Sequence, residues 1–370
     1  MIKLPLGKNA DSLLLFKAPL AIFAKVLLIS ILAIGAFITF KGDKPNLYYV
    51  IDCNIYNSNL TLMRSSEGSH CEFFSDGSTL SGMPEKLTYY DQNLQIVWQK
   101  NISVHHAFTK SLDEKKVYVL TSSYHQFLGE KTRFDNIEIL DIKTGNSLSS
   151  WSSYIEQNLL ISLEPRAYIK ENHRLPLRSP EEIKNQVYFE FLHFNSIYEI
   201  PENSLSDDLD FLKPHGLVVN TGPGLVLFFD DKLNYLSSVH LGKTSTQFAH
   251  DVQVGKNGDL LFFTNHSAGY LHSSLHKMDL RNNKIIWTFK SNAQLKNFFN
   301  WRFGSVQELD DSFLFSDLTT KGTIVEIAKD GSLIKSFDNP VLNPYTQKPI
   351  DMLTLKKLDL NSYLTNFHGY

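Results

Sequence analysis

Cysteine is nearly missing from this sequence: 370 residues hold two, Cys53 and Cys71. That excludes a multi-bridge disulfide scaffold, and the spacing of the pair matches no cysteine-based metal motif. The two either form one disulfide, if this region lies outside the cytoplasm, or stay as buried thiols; the residues alone leave both open. A charge excess is missing as well, the formal net charge being −3. Nothing in that balance suggests a nucleic-acid partner or a basic membrane-binding face, and a small or weakly charged ligand fits better. Long apolar runs are lacking apart from one near the N-terminus.

That run, Ala18 to Phe40, is 23 residues long and is interrupted only by Lys25 and by Pro19, Ser30, Gly35 and Thr39. It is long enough to cross a bilayer, which takes ~20 residues. Lys3, Lys8 and Lys17 precede it against one acid, Asp11, so residues 1–17 are expected to be cytoplasmic and the chain beyond 40 to lie on the far side. A signal peptide cut near Ala33-Ile34-Gly35 is the alternative. The run continues through Phe37-Ile38-Thr39-Phe40, which favours an uncleaved anchor. A linker, 41–46, then leads to a domain over 47–370.

What fills that domain is aromatic and strand-like. Phe (26) and Tyr (16) are abundant, and short apolar runs alternate with Asp, Asn, Gly and Ser, the pattern of strands and turns. The pattern repeats. Tyr89-Tyr90-Asp91 with Trp98, Ile139-Leu140-Asp141 with Trp151, and Lys277-Met278-Asp279 with Trp287 are copies of one unit, and Phe228-Phe229-Asp230 and Glu326-Ile327-Ala328 are weaker copies. The anchors 91, 141, 230, 279 and 328 are 50, 89, 49 and 49 apart. A period near 50, with one unit degenerate or carrying an insertion over Glu164–Asp208, predicts an all-β, six-bladed β-propeller of four-stranded blades. The tail Asp351–Tyr370 is a candidate for the strand that closes the ring.

Histidines fall at matched places in these units. Val104-His105-His106-Ala107-Phe108, Leu192-His193-Phe194-Asn195-Ser196-Ile197 and Ala249-His250-Asp251-Val252-Gln253 each open a strand pair, the last turning at Asn257-Gly258; Phe303-Gly304-Ser305-Val306-Gln307 opens another without histidine. A single histidine at a strand start is ordinarily solvated or satisfied in a core. Three at equivalent positions converge at one end of a propeller channel. Which of His105 and His106 points inward depends on strand phase, and Phe108 favours His106. His266, His272 and His276 have no carboxylate at ligand spacing, so no metal set is read there.

The ordered series His105-His106, His193-Phe194-Asn195-Ser196-Ile197 and His250-Asp251-Val252-Gln253 with Asn257-Gly258-Asp259 resembles the bacterial arylsulfotransferases that do not use the adenosine phosphosulfate donor, over roughly residues 85–340. The resemblance implies a periplasmic propeller that moves a sulfuryl group from an aryl sulfate ester to a phenol through a sulfohistidine, without a cofactor. It makes His250 the nucleophile, His193 and Asn195 the pair that holds the sulfuryl oxygens, and His106 or His105 the catalytic-site histidine of an earlier blade. The family's arginine on the following strand is absent from Gly216–Gly224. Lys213, His215 and Arg302 are the cations available to replace it. The alternative from another class is a non-catalytic, membrane-anchored propeller that binds a protein partner or a small anionic or phenolic ligand at the same face.

Overall fold

The computed structural model describes residues 47–164, 189–241, 247–266, 272–290, 298, 304–317, 322–341 and 355–359. The predicted anchor (18–40) and linker (41–46), Arg302 and the polar stretch from Arg166 to Glu182 lie outside them. Among the described residues no helix is long and apolar enough to cross a membrane.

The domain is all-β, with six blades in a propeller arrangement. Blade 1 holds β1 (Leu47–Ile51), β2 (Asn54–Tyr56) and β3 (Leu62–Ser65). Blade 2 holds β4 (His70–Phe73), β5 (Thr79–Met83), β6 (Lys86–Tyr90) and β7 (Ile96–Asn101). In blade 3, β8 (Val104–Lys110) and β11 (Ser147–Ser152) flank the long hairpin of β9 (Lys116–Phe127) and β10 (Glu130–Asp141). A short helix, α1 (Gln157–Leu163), follows, and then β12 (Phe189–Phe191), which pairs in parallel with β10 as a fifth strand. Blade 4 is β13 (Phe194–Glu199), β14 (Leu217–Thr221), β15 (Leu225–Phe229) and β16 (Tyr235–His240). Blade 5 is β17 (Gln247–Val254), β18 (Leu260–His266), β19 (Ser274–Asp279) and β20 (Lys284–Phe289). Blade 6 is β21 (Val306–Glu308), β22 (Ser312–Asp317), β23 (Thr323–Ala328) and β24 (Leu333–Asp338).

The ring closes through β25 (Leu355–Asp359), which pairs antiparallel with β1 and completes blade 1, as the tail was expected to do. Gln307 fastens this strand with both ends of its amide: Oε1 accepts from Lys357 N at 2.6 Å and Nε2 donates to Lys357 O at 3.2 Å. Lys356 on β25 pairs with the buried Glu72 on β4, tying blade 1 to blade 2. Burial alone would raise the Glu72 carboxyl; Lys356 and His70 bring it down to about 2. Cys53, after β1, and Cys71, in β4, form a disulfide across the same two blades.

The apolar pattern explains the stacking. A blade is buried on both faces, so its central strands are apolar throughout instead of alternating. Leu225-Val226-Leu227-Phe228-Phe229 is wholly buried; Leu225, Leu227 and Phe229 pack toward blade 3, Val226 and Phe228 toward blade 5. Tyr48 and Val50 likewise face blade 2, and Tyr49 and Ile51 face blade 6. Period-two geometry puts the two sets on opposite faces.

The repeat itself has a local cause. Asp91, Asp141, Asp230 and Asp279 each end or directly follow a third strand, and each caps the next turn by accepting a backbone N–H two or three residues on, at 2.8–2.9 Å. Asp and Asn recur there because their short side chains close such turns. Trp98, Trp151 and Trp287 sit on fourth strands and reach the following blade: Trp98 Nε1 donates to Ile142 O, and Trp151 and Trp287 pack on Phe229 and Phe313. The 89-residue interval is an insertion rather than a degenerate blade, because blades 3 and 4 are consecutive and α1 and β12 lie between them. Blade 1, split between the two ends of the domain, supplies the sixth unit. At the Asn257-Gly258 turn, Gly258 alone takes a positive φ of 74°. The connection runs from Gly255 to Asp259, longer than the two-residue turn suggested by the Asn-Gly pair.

Candidate functional site

Three irregularities aim the predicted histidines. The register of β8 on β9 shifts between Val104 and Phe108, so that three residues oppose one. β13 carries one extra residue, Asn195, against β14, and β17 carries one extra, His250, against β18. A bulged residue leaves the ladder and its side chain is re-aimed, which frees it for a site. At His105 and His106 the bulge also cancels alternation, so both rings enter one cluster instead of only His106. His106 and His193 have φ of 64° and 54°, a conformation that is costly for non-glycine residues and that the surrounding packing must hold.

The rings converge. His106 Nε2 lies 2.7 Å from His193 Nε2, and the His105 and His250 centroids are 4.1 and 5.8 Å from that of His106. His105 Nδ1 is 2.7 Å from Asp135 Oδ1. His193 Nδ1 is 2.6 Å from Glu190 Oε2 and 3.1 Å from Arg133 Nη2, and Arg133 also pairs with Glu190 at 2.7 Å. His105 Nδ1 faces the Asp135 carboxylate, which fixes its proton there; His193 Nδ1 faces both Glu190 and the donor-only Arg133, and the shorter contact to Glu190, at 2.6 Å against 3.1 Å, puts the proton on Nδ1 there as well.

Electrostatics follow from burial. Removal from water pushes His105 below the usual histidine range, and pushes His106 well below it with the neighbouring histidines adding to the effect. Burial brings His250 down to about 3, with His193 contributing, although a hydrogen bond to the Gly304 carbonyl opposes the shift. At neutral pH, His250 is an uncharged imidazole with a lone pair. Burial would raise the Glu190 carboxyl, but His193 and Arg133 hold it well below the ordinary range. Burial raises Asp251, beside His250, to about 6.

Asn195 is held differently from the expectation. Its Nδ2 donates to Ala249 O at 2.8 Å, and Asn220 Nδ2 donates to the same oxygen at 2.7 Å. Both amides grip the peptide just before His250, so that N–H of Asn195 holds the nucleophile candidate's backbone and is not free for a ligand. Lys213 stands apart from the histidines. They lie at the Phe194 end of β13, where Gly222 N donates to His193 O, whereas Lys213 follows the Glu199 end, about 20 Å along a six-residue strand, exposed and 3.8 Å from Asp210. His215 lies there too, bound to Glu199. His276, on β19, is buried between Ser274 and Thr288, where hydroxyls satisfy both ring nitrogens.

Sequence reading missed Arg133, Asp135, Glu190 and Asn220. Arg133 and Asp135 are two apart and so share a strand face, and Glu190 sits between Phe189 and Phe191; a charge inside an apolar strand was the available signal. Arg133 and Glu190 meet only because β12 pairs with β10 at that register. The insertion thus brings an arginine-carboxylate pair to the histidine cluster, the arginine from blade 3 and not from the strand after the His-x-Asn motif.

No family model matches the sequence, and no curated protein matches it. Among solved structures, the chain is similar to a Bacteroides caccae protein of unknown function at 13% identity and a TM-score of 0.49, covering 85% of this chain and 99% of that one. It is also similar to the dihydro-heme d1 dehydrogenase NirN in complex with DHE (13% identity, TM-score 0.42, 81% of this chain and 55% of that one). A third similar structure is Dos1 propeller (12%, 0.41, 79% and 63%). The chain spans about half the length of the NirN chain and under two thirds of the Dos1 chain. These likenesses carry no argument about function.

Proposed function

We propose that the histidine-lined mouth transfers a sulfuryl group from an aryl sulfate ester to a phenolic acceptor, with His250 as the nucleophile. The observation that supports this reading is the meeting of His106 from blade 3, His193 from the end of the insertion and His250 from blade 5, with Arg133 behind them. A neutral imidazole attacks sulfur; the N–S bond forms as the S–O(aryl) bond breaks, and the electron pair leaves on the phenolate. The phenolate departs and takes its proton from water, while the N–H in the His106–His193 contact stays as a fixed donor. In the second half the acceptor phenol gives its proton to water as its oxygen attacks sulfur and the N–S bond breaks. Sulfuryl charge rests on peripheral oxygens, so fixed N–H donors and Arg133 act mainly by electrostatic preorganisation.

The same reading places the domain in the periplasm or extracellular space behind an uncleaved N-terminal anchor. The Cys53–Cys71 disulfide supports an oxidising compartment. The partners are then the bilayer, through residues 18–40, and two small phenolic molecules.

A second reading, a non-catalytic propeller that binds a small anion, draws on one observation: Arg133 is already paired with Glu190, which neutralises much of its charge. The full chain incubated with 4-nitrophenyl sulfate and a phenol separates the two. Transfer that disappears in His250→Ala, with a sulfuryl label on His250 in the native protein, is the expected result. Binding of the sulfate ester without turnover or label would leave only the second reading.

A further inference from the structure

We propose that His105, His106 and His193 form a binding site for a divalent transition-metal ion of the Zn2+ type. The inference does not depend on sulfuryl transfer. It stands on geometry: the three side chains offer one ligand atom each, and these atoms all lie within 4.8 Å of one another. Zn–N bonds of 2.0–2.1 Å in a tetrahedron separate neighbouring nitrogens by about 3.3 Å. The His106–His193 pair, at 2.7 Å, opens slightly to reach that spacing, and no pair of the three atoms, all within 4.8 Å, has to close by more than about 1.5 Å.

The proton arrangement carries it further. Asp135 accepts from His105 Nδ1, and Glu190 accepts from His193 Nδ1. Each carboxylate keeps the proton on Nδ1 and leaves Nε2 of both rings as a lone pair. Carboxylates that brace imidazoles in this way are the usual outer partners of metal-bound histidine: they set the tautomer and raise ligand basicity. Both braces are themselves anchored, Asp135 by the Phe194 N–H and Glu190 by Arg133. Without a cation, the two facing Nε2 atoms of His106 and His193 must share a proton, and the ion would take its place. Three neutral histidines leave a fourth position for water or an anion, as in open zinc sites, and His250 adjoins it.

Nothing in the linear spacing shows this set, because His105 and His106 come from blade 3 and His193 from the end of the insertion. The left-handed backbone at His106 and at His193 is the cost of bringing the rings together.

The test uses the full chain, stripped with a chelator and titrated with Zn2+ by calorimetry, and with Co2+ by visible absorption. One equivalent binding at micromolar affinity or tighter, with the intense d–d bands of four-coordinate Co2+, is expected. His105→Gln and His193→Gln should each weaken binding at least 100-fold, and Asp135→Asn by 10- to 100-fold. Circular dichroism confirms that each variant is folded. X-ray absorption on the zinc-loaded native protein covers the case in which the variants do not fold: three imidazole ligands support the site. Fewer than three imidazoles, binding weaker than about 100 µM, or tight binding unchanged in folded His105→Gln and His193→Gln proteins would overturn it.

Discussion

Asn195 and Asn220, on adjacent strands of blade 4, donate their side-chain amides to one acceptor, the carbonyl of Ala249 in blade 5, at 2.8 and 2.7 Å. The two bonds fix the peptide that carries His250 out of the ladder. Because either amide alone still satisfies the carbonyl, single replacements are buffered and the double one is not. Asn195→Ala and Asn220→Ala should each cost only ~0.5–1.5 kcal/mol. The double variant should lose about 1 kcal/mol more than the sum of the two. Urea unfolding of the four proteins in a double-mutant cycle measures the coupling, and simple additivity would show that the amides act separately.

Gly304 holds the other side of His250 by accepting a hydrogen bond from it at the backbone. A Cβ at Gly304 would stand 2.3 Å from Cε1 of the fully buried Phe263. Gly304→Ala should therefore destabilise by ~1–3 kcal/mol through overpacking. By shifting the carbonyl that orients His250 it should also slow the proposed sulfuryl transfer by about 100-fold. Thermal melts and rate measurements test both, and an unchanged rate in a destabilised protein would detach Gly304 from the site.

Stability should depend on pH in two separable windows. Burial lowers His276 to about 4 from its ordinary 6.5; a lowered histidine stabilises fully above 6.5 and loses that contribution as pH falls from 6.5 towards 4. The size is at most about 3 kcal/mol. Glu72, at about 2 against 4.5, stabilises above 4.5 and loses its contribution between 4.5 and 2. His276→Phe should shrink the upper window, to which the lowered His105, His106 and His250 also contribute, and Glu72→Gln the lower, as read from melting temperature against pH. A native protein equally stable at pH 4.5 and pH 7 would contradict the first assignment.

The Cys53–Cys71 bridge spans 18 positions, and closing a loop of that length stabilises by about 3 kcal/mol in the chain-entropy account. Reduction of the native protein, or Cys53→Ser with Cys71→Ser, should lower the melting temperature by several degrees. Melting unaffected by reductant would show that Gln307 and the Lys356–Glu72 pair hold blades 6, 1 and 2 together without it.

The repeat was legible because four blades use the same local chemistry: an aspartate capping the turn after the third strand and, in three of them, a tryptophan on the fourth. Both act over a few residues, so they leave a period in the chain. Blade 1 left none, being assembled from β1–β3 and a strand from the other end of the domain. The insertion before blade 4 was visible only as a gap of 89, and its β12, with Glu190, could not be placed from the gap.

The sequence by itself determined the all-β class, the blade count and the histidines at the strand mouths, because strand periodicity and turn chemistry are local. Only the tertiary structure decided what those histidines touch. Bulges at His105–Ala107, Asn195 and His250 override the alternation that a sequence reading must assume. The partners of the rings, Asp135, Glu190 and Arg133, come from strands whose pairing is set by register between distant segments. The site is thus a product of packing between blades, and the spacing of residues along the chain does not encode it.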